Sequence, residues 1–505
     1  MPKIWDEKQK TTARTIHIEP VTRLEGHAKI DIFLDADGNV EDTYFQVVEL
    51  RGFEEFCKGR PAEEIPRIVT RLCGVCPWPH HLASTLALDQ VFAAPPPPAA
   101  HKIRELGYCA HMLESHLEHI YALGMAPDFV VGPAADPLKR NVFGVIAELG
   151  LDIGTKVIKH RGYAVEIEDI IGGKSTHPVF SLPGGVSHPV TKEERKRIQE
   201  LAGKLVDFCE FTLAAADKIV MANPEYVAII LNKDLYYHRS YHMGMVDADG
   251  RFTFYGGRLK IMDPDGHYVA EFEGKDYLTY IAEHPVKWSY LKFPYLRQVG
   301  WKGLVDGKES GLYRVAPLAR LNVCSGMPTP KAHQAYEYFL ERFGPKPVQN
   351  SLTYHLARAV EALYAAERLQ ELADDDEILS RNYRTISKQV VGEGVGVVEA
   401  PRGTLFHHYK TDANGMMTDL NLLVASAQNY GAMNMDVRNV AKTLIKNGMV
   451  SDGIFNMVEM AFRAYDPCFS CATHAAIGQM PMQIVLRDNA GNEIRRITRS
   501  GVHIE

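Results

Sequence analysis

The sequence predicts an α+β protein that is predominantly α: a central helical bundle with small peripheral β-sheets. Three observations carry this. Apolar residues recur at helical spacing through positions 61–222, strand-like alternation is confined to short stretches such as 15–50 and 241–275, and helical spacing returns at 331–373 and beyond 433. At 505 residues, 46% hydrophobic and 24% charged, the chain is long enough to bury a large core.

In chain order, Ile16, Ile18, Ala28, Ile30, Ile32 and Leu34 alternate largely with polar residues. Asp35-Ala36-Asp37-Gly38-Asn39 turns the chain before Val40 to Leu50, giving an N-terminal sheet over 15–50. The helical core, 61–222, has amphipathic runs around 78–92, 99–124, 137–171 and 191–221, punctuated by Pro95 to Pro98 and the Pro/Gly-rich 176–189. Segment 241–275 reads as a β insertion of two hairpins, with turns at Asp247-Ala248-Asp249-Gly250 and Asp263-Pro264-Asp265-Gly266. Helices follow near 331–343 and 351–373, an irregular or β region over 383–424, and helices near 433–447 and 454–464. From Met482 to Glu505 two short strands flank Asp488 to Asn492. Gly392-Glu393-Gly394-Val395-Gly396 imitates a dinucleotide loop, but β-prone Val397-Val398 and Pro401 follow where a helix would have to begin, so nucleotide binding is rejected.

The net charge of −7 argues against nucleic acid as a partner. No stretch of 18 apolar residues and no apolar leader core after Met1-Pro2-Lys3 are present, so the expectation is a cytoplasmic protein without a membrane span of its own.

Eight cysteines are too sparse for a disulfide framework. Cys57, Cys109, Cys209 and Cys324 stand singly and read as small buried hydrophobes. The others form two C-x-x-C pairs, Cys73/Cys76 and Cys468/Cys471, about 390 residues apart. A thioredoxin-like redox pair needs a small βαβ context that neither has, and a structural zinc site usually closes a short loop. A catalytic centre assembled from both ends, with four soft thiolates selecting a thiophilic transition metal, ranks somewhat above zinc.

The segments Arg71-Leu72-Cys73-Gly74-Val75-Cys76 with His80, and Asp466-Pro467-Cys468-Phe469-Ser470-Cys471-Ala472-Thr473-His474, resemble the two cysteine signatures of the large, catalytic subunit of nickel-iron hydrogenases. Pro20 to His27, Arg51-Gly52-Phe53-Glu54 and Glu399-Ala400-Pro401-Arg402-Gly403 fit the same family in the same order, so the resemblance spans nearly the whole chain. It implies that family's fold over residues 1–474, with the C-terminal active-site half in 331–474. It also implies a nickel-iron centre with diatomic ligands on iron. Cys73, Cys76, Cys468 and Cys471 would bind nickel, Cys76 and Cys471 also bridging to iron.

Further roles follow from the resemblance alone. Cys468 would first receive the proton from heterolytic cleavage of dihydrogen, and Glu25 would take it onward. Arg402 would hang over the open metal position beside Pro401. His80 would donate a hydrogen bond to a bridging thiolate, and Asp466 would pair with an arginine near the site. Glu54 and His474 would bind a separate magnesium or iron ion, completed by a backbone carbonyl near Asn429 or Tyr430. The bland alternatives are a solvated Glu25, a salt-bridging Arg402, a helix histidine at His80, and a surface glutamate and loop histidine at Glu54 and His474.

An iron-sulfur small subunit is an implied obligate partner, with further electron-transfer subunits, nickel-insertion factors and a maturation protease that would remove 475–505. Pro77-Trp78-Pro79 and Ser115 depart from the respiratory members and point to the cytoplasmic, cofactor-coupled branch, which includes enzymes linked to heterodisulfide reductase, deazaflavin or nicotinamide systems; the heterodisulfide reductase-linked, deazaflavin-non-reducing type is the one the resemblance suggests, and the electron acceptor depends on partner subunits. The runner-up is a non-catalytic four-cysteine zinc scaffold in an electron-transfer complex, which needs none of Glu25, Arg402 and His474.

Overall fold

A computed structural model of the chain describes residues 6–473, 482–488 and 493–499. Strands β1 (Thr15–Ile18), β2 (Ala28–Leu34) and β3 (Val40–Val47) form an antiparallel sheet in that order, with Ile16 opposite Ile32 and Ile30 opposite Phe45. Alternation turns Ile30, Ile32, Phe45 and Val47 into the core.

The helical core follows as expected, with two differences. Helix α1 (Pro77–Val91) opens on a proline at its first position, where no backbone N–H is needed. The sequence predicts an amphipathic run here, yet every residue but Leu86 and Gln90 is buried, so the helix that follows the first cysteine pair is a core rod. Helix α2 (Pro98–Glu118) starts where the proline run ends and passes into a π turn over His119–Leu123. The run at 137–171 is not one helix: Gly150, at φ +90°, breaks it, and α3 is Leu151–Gly172. Helix α4 (Lys192–Ala216) is started by Thr191 and Glu194, which cap one another reciprocally.

Strands β4 (Tyr241–Val246), β5 (Arg258–Met262) and β6 (Tyr268–Phe272) belong to one sheet, and β4 also pairs in parallel with Tyr313–Arg314. The stretch 276–330, where periodicity marks no element, holds a hairpin of Ile281–His284 with Phe293–Leu296 and helix α5 (Ala316–Val323). Helices α6 (Pro330–Phe343) and α7 (Tyr354–Asp374) then complete the bundle, α7 packing against both α2 and α4 while α3 lies against α2.

Strands β7 (Glu393–Ala400), β8 (Gly403–Thr411) and β9 (Met417–Leu423) make a meander in the region read as irregular or β. Gly394 and Gly396 of the discarded nucleotide loop lie in β7, where they let α1 and β7 touch: a Cβ on Gly396 would stand 1.9 Å from the Ala83 carbonyl oxygen. Helices α8 (Tyr430–Leu444) and α9 (Asp452–Arg463) lead to the second cysteine pair. Beyond it, β10 (Met482–Arg487) and β11 (Glu493–Arg499) pair antiparallel, the two short strands expected on either side of Asp488 to Asn492.

Among the described residues no helix is long and apolar enough to cross a membrane.

Candidate metal centre

Both cysteine pairs sit where irregular chain enters a helix, Cys73 and Cys76 ahead of α1 and Cys468 just before the short helix Phe469–Ala472. The four sulfur atoms lie within 4.8 Å of one another and all four residues are buried. Cys468 Sγ is 3.2 Å from Cys73 Sγ and 2.9 Å from Cys471 Sγ, Cys76 Sγ is 3.2 Å from Cys471 Sγ, and none is in a disulfide. The backbone N–H groups of Val75 and Cys76 donate to Cys73 Sγ. Burial resists ionisation here. The S–H groups of the other three nevertheless stabilise one thiolate, on Cys73, whose pKa falls well below 9, while burial pushes the pKa values of Cys468 and Cys471 well above it. Four thiolates in so small a volume fit a soft transition metal and nothing lighter.

Glu25 reaches this cluster because the chain ends are paired through their backbones: Glu25 and Cys468 form a parallel β-bridge, with the Phe469 N–H donating to the Glu25 carbonyl at 2.9 Å. Glu25 Oε2 then accepts from Cys468 Sγ at 2.9 Å and from the Ser470 N–H at 3.2 Å. Burial, followed by the charge on Cys73, raises its pKa above the ordinary glutamate value.

Arg402 and Pro401 are the two loop residues of the β7–β8 hairpin, whose last pair is Ala400 opposite Gly403. The buried guanidinium donates through Nε to the Asp466 carbonyl at 2.7 Å, through Nη2 to Asp466 Oδ1 at 3.0 Å and through Nη1 to Ser115 Oγ at 3.4 Å. Burial works against its charge, but Asp466 and the cysteine cluster outweigh it and hold the pKa well above the ordinary value. Asp466 itself takes a left-handed backbone, φ +56°, and burial lifts its carboxyl to about 6 against the pull of Arg402. The arginine paired with Asp466 is therefore Arg402.

A cavity of about 10 Å³ lies beside the sulfurs, lined by Cys76, His80, Pro401, Arg402, Ser426 and Cys468 among others. His80 enters it from the first turn of α1, and its Nδ1 is 3.0 Å from His407 Nε2.

Glu54 lies at the start of a short helix, Phe53–Phe56, where its Oε1 accepts from the Leu422 N–H at 2.8 Å. That N–H belongs to β9; the Asn429 and Tyr430 carbonyls accept from the Met433 N–H and Asn434 Nδ2. His474 lies outside the described residues. Arg51, of the same block as Glu54, joins the two cysteine segments: its N–H donates to the Thr473 carbonyl at 2.7 Å and its Nη atoms to the carbonyls of Arg71 and Leu72.

Sequence reasoning missed Ser426, whose Oγ accepts from the Cys468 N–H at 2.9 Å, together with Ser115 and His407 as partners of Arg402 and His80. It also missed a buried lattice in which Arg463 bonds Thr22, Asp128, Asn456 and Glu459, and Arg23 bonds Asp128 and Asn456, tying the Glu25 loop to α9. The polar residues Asn456, Glu459 and Arg463 at helical spacing are its signal in the sequence. The four single cysteines are buried, as expected, and burial raises the thiol pKa of each.

Comparison with known proteins meets the same geometry. The family described as "Nickel-dependent hydrogenase" matches residues 51–139 and 155–474, and one described as "HoxL-like" matches 15–50. The chain is 47% identical over 485 residues to an F420-non-reducing hydrogenase iron-sulfur subunit from Archaeoglobus profundus, covering 96% of this chain and 99% of that one. It is 39% identical to the NAD-reducing hydrogenase HoxS subunit beta of Cupriavidus necator, covering 95% and 99%. Among solved structures, an NAD+-reducing [NiFe]-hydrogenase in the H2-reduced state superposes with a TM-score of 0.85 at 35% identity, covering 92% of this chain and all of that one. The Ni-Fe-Se hydrogenase of D. vulgaris Hildenborough gives 0.71 at 25% identity, covering 91% and 99%.

Proposed function

The chain belongs to the nickel-dependent hydrogenase family, and from that premise we propose how its own residues carry out the reversible heterolytic oxidation of dihydrogen to protons and electrons. Cys73, Cys76, Cys468 and Cys471 would hold a nickel-iron centre, Cys76 and Cys471 shared with an iron that carries diatomic ligands; the small cavity beside Pro401 suits groups of that size. When bound, such a centre supplies the electrophilic metal at which dihydrogen is split and its electrons are taken up.

The proton is held first at Cys468 Sγ and passes to Glu25 Oε2, 2.9 Å away. A half-buried carboxylate of raised pKa is a better acceptor than a solvated one. Ser470 continues the direction outward, its hydroxyl donating to Glu49 Oε1, beside the exposed His27. Arg402, fixed by Asp466, keeps a full positive charge at the cavity wall and shapes the field there without being free to swing away. His80, in the wall of the same cavity, would donate a hydrogen bond to one of the cysteine sulfurs that hold the centre.

Among the described residues the chain offers no second cysteine cluster, which supports electrons leaving to an iron-sulfur small subunit. Likeness to F420-non-reducing hydrogenase chains supports the cofactor-coupled branch and a cytoplasmic home. Glu54 and His474 would bind the second, hard cation. Residues 475–505 would be removed by a protease after nickel insertion, and an active enzyme whose intact mass retains them overturns that.

The observation that carries the whole reading is the meeting of four buried thiols with Glu25 at a hydrogen-bond distance. Elemental analysis of the complex from its own host tests it. Nickel at about one per chain is expected, and stoichiometric zinc without nickel would replace the enzyme with the scaffold. In the nickel-loaded complex, Glu25→Gln is expected to slow hydrogen-dependent dye reduction roughly 10²–10⁴-fold at unchanged nickel content.

A further inference from the structure

Two residues before Glu25 the backbone is strained. Arg23 takes φ +59°, the left-handed region that a residue with a Cβ seldom occupies. Such a conformation persists only where the surroundings over-determine it, and here they do so through the side chain. Arg23 Nη1 donates to the Leu123 carbonyl at 3.3 Å, and Nη2 donates to Asp128 Oδ1 and, at 3.0 Å, to Asn456 Oδ1. The same two oxygens accept from Arg463 Nη1, at 3.1 and 2.8 Å. Arg463 also reaches Thr22, through Nη2 to its hydroxyl at 2.9 Å and through Nε to its carbonyl at 3.3 Å. Thr22 in turn donates its N–H and its hydroxyl to the two oxygens of Glu459, each at 2.8 Å. Asn456 spends its amide nitrogen on the Pro133 carbonyl at 3.0 Å, which turns its oxygen toward both arginines. Two guanidinium groups thus meet two carboxylates, and charge balances where Asp128 and Arg463 are at most 1% exposed. Arg23 stays charged at neutral pH, since burial and Arg463 lower its pKa only to about 10.

This lattice grips both partners of the proton step from one helix end. Asn456, Glu459 and Arg463 share a face of α9, Arg463 is its last residue, and the chain beyond runs five residues to Cys468. On the other side Thr22 and Arg23 lead directly into Glu25. Between the two segments the backbone supplies one good bond, Phe469 N–H to the Glu25 carbonyl at 2.9 Å, and one long one, Glu25 N–H to the Pro467 carbonyl at 3.4 Å. These join the segments at Glu25, while the direction from which the chain enters is set at Arg23. Transfer from Cys468 Sγ to Glu25 Oε2 depends on keeping their 2.9 Å separation.

We propose that Arg23 is a positioning residue for proton transfer: its tether to Asp128 and Asn456, shared with Arg463, holds the left-handed turn that presents Glu25 Oε2 to Cys468 Sγ. This rests on the reading of Glu25 as the acceptor beyond Cys468 and deepens it by naming what keeps that acceptor in reach. The hydrogen bonds of Arg23 go to Leu123, Asp128 and Asn456, so it acts on Glu25 through the backbone.

The test uses the complete enzyme complex, reading nickel content, hydrogen-dependent dye reduction, and isotope exchange between D₂ and water, which needs protons to leave the centre but no net exit of electrons. Arg23→Gly removes the tether yet suits a positive φ, so the fold is kept while the turn is freed. Nickel content and the KM for dihydrogen are expected to stay native. Dye reduction and exchange should both slow roughly 10–10²-fold, the scale of a small misplacement of reacting groups, with a larger solvent isotope effect because the proton step becomes limiting. Arg23→Lys, which can reach Asp128 but has no fork, should recover part of both rates. A merely structural Arg23 would lower nickel content and unfolding temperature and leave the isotope effect unmoved.

Native exchange and a native isotope effect in nickel-loaded Arg23→Gly would show that the backbone bridge alone sets the reach of Glu25, and would overturn the proposal. Slower dye reduction with native exchange would place the effect on electron exit and overturn it as well. Glu25→Gln separates the two levels. If that variant exchanges at the native rate, the reading of Glu25 as acceptor fails and the proposal with it; if it slows and Arg23→Gly does not, only the positioning role is wrong. Should Arg23→Gly fail to accumulate, Arg23→Asn against Arg23→Lys decides the matter. Asparagine tolerates the left-handed turn but is too short for the tether, so it should exchange more slowly than lysine, and equal rates would overturn the proposal.

Discussion

Two buried arginines, Arg402 and Arg320, stand at opposite ends of one short piece of β7, and they are held in different ways. Arg320, on α5, grips Glu361 with two parallel bonds of 2.7 and 2.6 Å, and its Nη1 donates to Glu399 Oε2 at 2.7 Å and to the Ala400 carbonyl at 2.8 Å. Its carboxylates are engaged elsewhere too, Glu399 by the Met245 N–H and Thr404 Oγ1, and Glu361 by His116. Arg402, three residues after Glu399, has one carboxylate, the Asp466 carbonyl at 2.7 Å and one long bond to Ser115, and among the described residues Asp466 Oδ2 has no hydrogen-bond partner. The first arginine is saturated and faces no cavity wall at the cysteines; the second borders the cavity. The difference teaches a division of labour. Arg320 clamps the base of the β7–β8 hairpin so that the two-residue loop Pro401-Arg402 arrives at the sulfurs already oriented.

The comparison is broken most forcefully by removing the clamp. Arg320→Met leaves Glu361 and Glu399 buried without their cation, and is expected to destabilise the chain by about 3–5 kcal/mol, so that no metal-loaded complex accumulates. Thermal unfolding of whatever is recovered measures it, and a native unfolding temperature would mean that Glu399 is held by its other partners alone. Arg402→Lys is expected to do the opposite. It keeps the charge beside Asp466 but loses the fork, so nickel content and unfolding temperature stay near native while hydrogen-dependent dye reduction falls roughly 10²–10³-fold, the scale of deleting one fixed donor from a preorganised site. If Arg402→Lys instead unfolds the protein, the two arginines are alike and the division of labour is wrong.

This pair also marks how far the sequence could be read. Arg402 was legible because it sits in the block Glu399-Ala400-Pro401-Arg402-Gly403, and the four cysteines because their spacing is itself chemical. Glu399 stands in the same block, yet its task was hidden: its partner Arg320 lies about 80 residues away in a stretch without clear periodicity. His407 was hidden for the same reason, since a histidine in an alternating strand looks the same whether or not it meets His80. Local signals gave the bundle and the sheets around it, but not the all-round burial of α1, which depends on β7 and β8 covering the face that a lone helix would expose to water. Glu54 stands in the block Arg51-Gly52-Phe53-Glu54, but the N–H it accepts from, that of Leu422, follows from how β9 passes the Phe53–Phe56 helix and carries no motif.

The smallest expected effect sharpens the comparison through pH. His116 Nε2 donates to Glu361 at 3.1 Å, inside the Arg320 cluster; beside Arg402, His119 Nε2 stands 3.9 Å from Asp466 Oδ1 and bonds the Arg463 carbonyl at 2.8 Å instead. Glu361 favours a charged imidazole, but complete burial outweighs it and lowers the pKa of His116 from 6.5 to about 4. Between those values the unfolded chain binds a proton that the folded chain refuses. The stabilisation is therefore fully present above 6.5 and is lost as pH falls toward 4, by about 3 kcal/mol over the whole window. His81 and His111 are likewise lowered to about 4 by burial and add slopes of the same sign, so the acid limb should flatten only in part when His116 is replaced. His116→Gln keeps an N–H for Glu361 and cannot titrate. Denaturant midpoints measured from pH 7 to pH 5 should fall less steeply in this variant than in the parent. Equal slopes would show that the clamp around Arg320 opens to water before His116 is charged, making it the softer of the two arginine sites instead of the rigid one.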